Sequence, residues 1–328
     1  MRILLVKLSS LGDVVQTLPV IHDIRTQVPA ARIDWVVEEG FAPLVRQAAG
    51  LERVIPVALR RWRRTLWSGH TGRERRDARA ELRAQAYDAV IDFQGLIKSA
   101  AVARQARLAR GGFTATYGNG SDLCGYEWPV RFLLQKTPAM PRQIHAVARY
   151  RLLAAQALGY PAPQGAPVYP WTRHAPAQPP QVMLAHGTTR PDNEWPARDW
   201  IALGRVLAAE GFELVIPHAS ERELAFAREL AQGIGAGARV LGRMNLPDLL
   251  EVMRAGSGLI GVDTGVAHMG VALDLPVVEI FSQPRSLRAG PVGRAHQCSV
   301  GGERAPTADE VIAAWQACWH ARADAALA

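Results

Sequence analysis

Residues 1–19 read MRILLVKLSSLGDVVQTLP, and their pattern indicates the fold class. Residues 1–7 form a short apolar run that predicts a buried strand, and residues 9–12 form a loop of small side chains. An apolar-periodic helix is expected to begin near Asp13. A strand, a short loop and a helix make up the repeating unit of a parallel α/β sheet. The first half of the chain is therefore predicted to be a doubly wound domain.

The same alternation of strands and helices continues along the chain. Strands are predicted at residues 33–37, 53–57, 89–92, 182–185, 213–216, 239–241, 258–262 and 276–281. Helices are predicted at residues 197–210, 221–232, 246–255 and 266–273, and a closing helix at 307–325. The spacing of apolar residues in this closing helix does not show which domain the helix packs on. Residues 159–180 are rich in Pro, Ala and Gln, which predicts a linker between domains at 1–165 and 166–328.

The composition is that of a globular protein. With 328 residues, 48% of them hydrophobic, the chain is long enough for two cores of ordinary domain size. The apolar stretch at the start is far shorter than the roughly 20 residues of a membrane helix, so a cytoplasmic N-terminus is expected. Cys124, Cys298 and Cys318 lack paired metal-ligand spacing, which predicts reduced structural thiols.

Positive charge is concentrated near the end of the third predicted strand. The chain has a net charge of +8, and residues 60–64 read RRWRR, with more arginines close behind. This excess fits nucleic acid, an anionic lipid or a phosphorylated substrate, although a genome rich in arginine codons accounts for part of it. Trp62, interleaved among the arginines, favours an anionic partner over a plain solvated face.

Three loops follow predicted strands at the edge where open α/β sheets bind ligands. Asp13 lies in the first, where a helix cap is the structural alternative to a catalytic role. The second, residues 186–190, reads HGTTR, and its hydroxyls, amides and arginine suit a diphosphate unless it is a plain turn. The third, residues 261–268, reads GVDTGVAH and precedes a helix whose first amides suit a phosphate. Neither a Walker loop nor G-x-G-x-x-G is present.

Several blocks in order along the chain carry a resemblance to a known family. They are residues 7–19 (KLSSLGDVVQTLP), 34–41 (DWVVEEGF), 52–57 (ERVIPV), 60–64, 87–100 (YDAVIDFQGLIKSA), 186–190, 195–196 (WP) and 262–265 (VDTG). Together they resemble the bacterial heptosyltransferases of glycosyltransferase family 9. The resemblance implies a GT-B fold, in which two Rossmann-like doubly wound domains face a central cleft. The first domain would bind the acceptor and the second the nucleotide sugar.

The activity that the resemblance implies is an inverting glycosyl transfer without metal or cofactor. Heptose would move from ADP-L-glycero-D-manno-heptose to Kdo of the lipopolysaccharide inner core, with Kdo-lipid A as acceptor. The protein would be cytoplasmic and peripherally associated with the inner membrane, and it would not bind nucleic acid. A related transferase or epimerase using another sugar nucleotide remains an alternative, as does a basic nucleic-acid-binding protein.

The resemblance also assigns roles to individual residues. Asp13 would be the general base. The donor would contact Thr188, Thr189, Arg190, Asn193, Glu223, Met244, Asp263, Thr264, Gly265 and His268. The acceptor would contact Ser10, Gly12, Arg60, Arg61, Arg63, Arg64, Gln94 and Lys98. Asn193 departs from the lysine common in the family, which would remove a positive charge from the diphosphate site unless Arg190 replaces it.

Overall fold

The computed structural model describes residues 1–65 and 68–327, and in the last helix it describes side chains as far as residue 322. The chain divides into two compact units, Met1–Pro170 and Trp171–Ala328. Each unit contains a parallel sheet flanked by helices, so the prediction of two doubly wound α/β domains is confirmed. None of the described helices has the length and apolar character needed to cross a membrane.

The N-terminal unit is built on a sheet with the strand order β3-β2-β1-β4-β5. Its strands are β1 (Arg2–Val6), β2 (Arg32–Glu38), β3 (Arg53–Val57), β4 (Ala86–Asp92) and β5 (Arg107–Ala115). Its helices are α1 (Leu11–Thr17), α2 (Pro19–Gln27), α3 (Ala42–Val45), α4 (Leu59–Trp62), α5 (Gly69–Arg83), α6 (Ile97–Ala103) and α7 (Ala146–Leu158), with a 3₁₀ helix at Trp128–Phe132. The chain winds outward from β1 in both directions, because β2 and β4 both pair with β1.

A hydrophobic core covers one face of this first sheet. Sheet residues such as Val6 and Val90 pack there with Trp62 of α4, Ala100 of α6 and Val130 of the 3₁₀ helix. These elements therefore lie on the same face of the sheet, which brings the arginine run and the 3₁₀ helix to one side of the N-terminal unit.

The C-terminal unit has the strand order β11-β10-β9-β6-β7-β8. Its strands are β6 (Gln181–Ala185), β7 (Glu213–Ile216), β8 (Ala238–Val240), β9 (Gly258–Val262), β10 (Val277–Phe281) and β11 (Gln297–Gly301). Its helices are α8 (Ala197–Ala209), α9 (Glu221–Ile234), α10 (Leu246–Arg254), α11 (Gly265–Ala272), α12 (Ser286–Ala289) and α13 (Ala308–Leu327), with a 3₁₀ helix at Pro191–Asn193. The closing helix α13 packs on α8, β10 and β11 of its own unit.

The elements absent from the sequence prediction are mainly edge strands. β5 contains two adjacent glycines and a register shift against β4, and β11 pairs only with β10 and has exposed positions. Edge strands need no continuous apolar run, so their sequences carry a weak signal. The thiols of Cys298 and Cys318, which are distant in sequence, lie 3.4 Å apart as an unlinked pair on β11 and α13.

We expect Gly258→Ala to destabilise the C-terminal unit. Gly258 begins β9 in the middle of the sheet, and a Cβ atom there would overlap the indole ring of Trp315, which is fully buried. Overpacking of this kind lowers the free energy of unfolding by about 1–3 kcal/mol, measurable by urea denaturation. The control is Gly40→Ala, where an added Cβ atom meets nothing within 4 Å. Equal stability of the two variants would contradict the proposed packing.

Candidate functional site

The first cluster of polar side chains lies where β1 and β4 end side by side. Val6 pairs with Asp92 in the sheet, and this is the point where the strand order reverses, the position at which open α/β sheets bind ligands. The side-chain oxygen of Gln94 accepts hydrogen bonds from the amides of Leu8 and Ser9 at 3.1 and 3.2 Å. Gln94, predicted to bind the acceptor, therefore also stabilises the loop that leads to Asp13.

Asp13 is held by contacts to both of its carboxylate oxygens. Its Oδ2 accepts hydrogen bonds from the amide and hydroxyl of Ser10 at 3.2 and 2.9 Å, which is the helix-capping contact. Its Oδ1 accepts a hydrogen bond from the hydroxyl of Tyr150 at 2.9 Å. The side chain is 21% exposed. Asp13 thus makes the capping contact to Ser10 and, in addition, a hydrogen bond to Tyr150 that a helix cap does not require.

Lys7 and Tyr150 are part of this site, although neither was predicted to have a role in it. The Lys7 ammonium donates to the Tyr150 hydroxyl at 3.1 Å and to the carbonyl of Phe93 at 3.2 Å, and it lies 4.0 Å from Oδ1 of Asp13. Tyr150 lies on α7, 137 positions from Asp13, so no local pattern could have joined them. A buried cation and a phenol together fix the position of the Asp13 carboxylate.

One arginine of the run at residues 60–64 is paired with carboxylates of the protein. The guanidinium of Arg61 makes paired hydrogen bonds to the carboxylates of Glu39 and Glu74, at 2.8 to 3.0 Å. Bonds from Arg61 and Trp62 lower the pKa of Glu74 to about 2. Arg61 is therefore already paired within the protein.

The other residues of the run differ in exposure. The side chains of Arg60, Arg63 and Arg64 are exposed, whereas Trp62 is buried at 8% exposure and donates to Glu74. The indole of Trp62 fills the core beneath α4 and is not part of the exposed surface, so the preference for an anionic partner rests on the arginines alone. The remaining predicted acceptor residues, Ser10, Gly12 and Lys98, are exposed or half-buried near the ends of β1 and β4.

The second cluster lies in the C-terminal unit, where β6 and β9 end side by side. Ala185 pairs with Gly261, and the strand order reverses at this point too. The side-chain amide of Asn193 donates to the carbonyl of Asp263 at 2.9 Å, and Asn193 is 2% exposed. The loops after β6 and β9 are thus joined by a partly buried hydrogen bond. Thr264 and Gly265 begin α11 at this junction, where the first amides of the helix favour an anion.

Glu223 borders the loop after β6. It lies in the first turn of α9, and a Cβ atom built on Gly187 would be 3.0 Å from its carboxyl carbon. Its carboxylate accepts a hydrogen bond from the amide of Ala219 at 2.7 Å. Met244, in the loop after β8, is half-buried. The structure therefore places Glu223 against the HGTTR loop, and the donor-binding roles of Glu223 and Met244 stay predictions.

The charged residue of the HGTTR loop has a partner of its own. Arg190 pairs with the exposed carboxylate of Asp192 at 2.9 Å, and its amide donates to the hydroxyl of Thr188 at 3.2 Å. Thr189 is exposed. Because the Arg190 guanidinium is already paired with Asp192, a bound anion would compete with that carboxylate for Arg190.

A chain of ion pairs, buried at His268 and Glu279, supports the loop after β9. His268 lies between two acids, with Nε2 at 3.5 Å from Asp263 and Nδ1 at 3.0 Å from Glu279. Burial lowers the proton affinity of the ring, but the two carboxylates outweigh it and raise the pKa of His268 to about 10. Arg285 approaches the other oxygen of Asp263 at 3.6 Å. The Asp263 carboxylate is thus held between two cations.

Glu279 and Arg285 were missed in the sequence analysis. Glu279 is fully buried in β10, and burial raises the pKa of its carboxyl group, so the charged form needs a nearby cation. A single acid in the otherwise apolar run Val277–Phe281 was the available signal. Arg285 lies in a stretch without a recognisable pattern, and only the fold brings it to Asp263.

Comparison with solved structures identifies the class of protein. The chain is similar to the E. coli heptosyltransferase WaaC with ADP, with a TM-score of 0.84 and 35% identity over 95% of this chain and 98% of that one. It is similar to WaaC with ADP-2-deoxy-2-fluoro heptose over the full length of both chains, with a TM-score of 0.80 and 34% identity. The fold and the two loop clusters define a glycosyltransferase of the GT-B class.

Sequence comparisons define the family within that class. Residues 75–320 match the model of glycosyltransferase family 9 (heptosyltransferase). Lipopolysaccharide heptosyltransferase 1 of E. coli K12 is 39% identical over 287 residues, which cover 86% of this chain and 88% of the relative. The chain therefore belongs to glycosyltransferase family 9. The predictions of a GT-B fold, a transferase activity and this family are confirmed.

We expect Glu279→Gln to change how stability depends on pH. A histidine whose pKa is raised on folding stabilises the protein fully below its unfolded value of about 6.5, and this stabilisation is lost as the pH rises through the folded value. In the wild type the loss extends to about pH 10. Without the Glu279 charge, the pKa of His268 falls and the loss occurs at lower pH.

The measurement is urea denaturation at intervals from pH 7 to 9, together with NMR titration of the His268 ring. Between these pH values the unfolding free energy of the wild type should decline with pH, with a slope that corresponds to about one more proton bound in the folded than in the unfolded state. The unfolding free energy of the variant should decline less. Glu229→Gln, on the exposed face of α9, is the control. The same slope in all three proteins would show that Glu279 does not hold the His268 proton.

Proposed function

We propose that this protein transfers heptose from ADP-L-glycero-D-manno-heptose to Kdo of the lipopolysaccharide inner core. The observation that carries the proposal is the full-length similarity to WaaC with ADP-2-deoxy-2-fluoro heptose. The polar loops at the switch point of the second sheet agree with it, because they offer hydroxyl and amide donors to a diphosphate.

The donor is proposed to bind to the C-terminal unit. Its diphosphate would lie at the junction that the Asn193–Asp263 hydrogen bond creates, beside Thr188, Thr264 and the first amides of α11. Glu223 would accept hydrogen bonds from ribose hydroxyls, and Met244 would contact adenine. His268 and Asp263 would lie at the sugar end, fixed in place by Glu279 and Arg285.

The transfer step is a single displacement. Asp13 takes the proton of the acceptor hydroxyl, the resulting oxygen forms a bond to the anomeric carbon, and the bond from that carbon to the diphosphate breaks. Attack opposite the leaving group inverts the anomeric centre. Tyr150 and Ser10 orient the Asp13 carboxylate, and the ammonium of Lys7 lies close to the charge that the carboxylate carries.

Charge that develops on the departing ADP is proposed to be stabilised by the protein without a metal ion. Arg190 supplies a guanidinium at the loop after β6, and the amino-terminal end of α11 supplies oriented amides. Asn193 contributes a dipole and no charge at the position where the family commonly has lysine. Arg190 would therefore carry the charge-assisted contact to the diphosphate.

The acceptor is proposed to be Kdo-lipid A, approached from the inner face of the cytoplasmic membrane. The exposed side chains of Arg60, Arg63 and Arg64 offer positive charge to its phosphates. Because Trp62 is buried, the run offers no aromatic ring on which a base could stack, which supports a lipid acceptor over a nucleic acid.

The test is transfer by the purified full-length protein, with ADP-heptose and Kdo-lipid A supplied in detergent and excess EDTA present. We expect ADP release that matches a mass gain of one heptose on the acceptor, with inversion of the anomeric centre seen by NMR. Parallel reactions with UDP-sugars test the alternative donor. ADP release without a change in acceptor mass, or transfer only from a UDP-sugar, would exclude the proposed reaction.

We expect Asp13→Asn to lower kcat about 100-fold or more, the usual scale for removing a general base, without changing ADP affinity. Tyr150→Phe should lower kcat about tenfold, because it removes one hydrogen bond to a charged group. The matched control is Tyr160→Phe, since the Tyr160 hydroxyl makes no hydrogen bond to the residues that the structure describes. Wild-type kcat in a folded Asp13→Asn protein would leave Asp13 a helix cap only.

A further inference from the structure

Two large aromatic side chains stand out from the surface of the N-terminal unit. Trp128 and Phe132, at the two ends of the 3₁₀ helix Trp128–Phe132, are each 67% exposed. Their rings contact edge to face, with centroids 6.0 Å apart and an interplanar angle of 85°. Exposed aromatic pairs are unusual on a soluble surface and indicate an interaction site.

The fold holds these rings outward. Val130, between them, is fully buried in the core over the first sheet, and the amide of Glu127 donates to the carbonyl of Gly95 at 3.0 Å. With Val130 as its buried anchor, the 3₁₀ helix cannot rotate to cover Trp128 or Phe132 without exposing that side chain. Their exposure is therefore a fixed property of this face.

The neighbouring end of α6 extends the apolar area. Ile97 is 47% exposed, and its amide donates to the carboxylate of Glu127 at 2.6 Å, which places it beside the start of the 3₁₀ helix. We call Trp128, Phe132 and Ile97 the aromatic patch. The same hydrogen bond engages the carboxylate of Glu127, the acidic group nearest to the patch in sequence.

Basic side chains accompany the aromatic patch. The guanidinium of Arg131 lies over the ring of Phe132 at 4.7 Å, and Lys98 is exposed next to Ile97. Trp62 of α4 and Val130 belong to one core cluster, so the exposed arginines within and directly after α4 lie on the same face of the first sheet. Amphipathic aromatic rings and cations on one face are the chemistry that suits the interface of an anionic bilayer.

We propose that the aromatic patch docks this protein on the surface of an anionic phospholipid bilayer. Trp128, Phe132 and Ile97 enter the headgroup boundary, and Arg131 and Lys98 contact lipid phosphates. The inference rests on the proposed function in one respect, since a lipid acceptor gives the enzyme a reason to be at a membrane. Three side chains are too small an area for a stable dimer, which needs about 800 Å² from each partner.

The binding test uses the full-length protein and vesicles of phosphatidylcholine with or without phosphatidylglycerol, followed by co-sedimentation. We expect the wild type to bind vesicles that contain phosphatidylglycerol, and Trp128→Ser/Phe132→Ser to bind about tenfold more weakly or worse. Trp128→Phe should retain most of the binding. Val168→Ser, which alters another exposed apolar residue of the N-terminal unit, is the control and should bind like the wild type.

The activity test separates the patch from the catalytic proposal. Transfer is compared on acceptor embedded in those vesicles and on a deacylated, soluble acceptor. The double variant should lose activity about tenfold only on the embedded acceptor, with an unchanged melting temperature. A wild type inactive on both acceptors would overturn the proposed function, whereas vesicle binding that persists in the folded double variant would overturn the docking surface. The docking surface would also be overturned if the wild type formed a dimer, and the double variant lost that dimer but still bound vesicles.

Discussion

All strands of a parallel sheet end at the same edge, and both units of this protein depend on that constraint. Because the chain winds outward in two directions from β1 and from β6, the loops after two neighbouring strands separate at that edge and leave room for ligands. Asp13 follows β1, and the HGTTR loop follows β6. The backbone arrangement thus decides where chemistry takes place before any catalytic side chain is considered.

The groups proposed to act in the reaction are held by hydrogen bonds and ion pairs to neighbouring side chains. A carboxylate that must take a proton from an incoming hydroxyl cannot be left to rotate, and Tyr150 and Ser10 fix Asp13 through opposite oxygens. In the other unit, His268 carries a positive charge because Glu279 and Asp263 surround it, and it in turn orients Asp263. The charges of Lys7, His268 and Glu279 are buried, and electrostatic interactions are stronger there than in water.

The arginines have different surroundings in the folded protein, which the net charge alone does not show. Arg61 is paired with two carboxylates, and Arg190 is paired with Asp192. Arg285 neutralises Asp263, while Arg131 covers the ring of Phe132. The net charge of +8 is therefore not one basic surface. It is divided between pairing within the protein, support of the proposed donor site and positive charge on the face of the first sheet that contains the aromatic patch.

Local patterns in the sequence were enough to predict the α/β class, two doubly wound domains, the central strands and the loops that carry Asp13, Thr188 and Thr264. Those features follow from local apolar periodicity and from short motifs, which are encoded by neighbours along the chain. The folded chain was needed to show that Tyr150 donates to Asp13, that Glu279 contacts His268, that Trp62 is buried and that Trp128 is exposed. Each of these depends on residues far apart in sequence meeting in one core, and burial and pairing are properties of that packing.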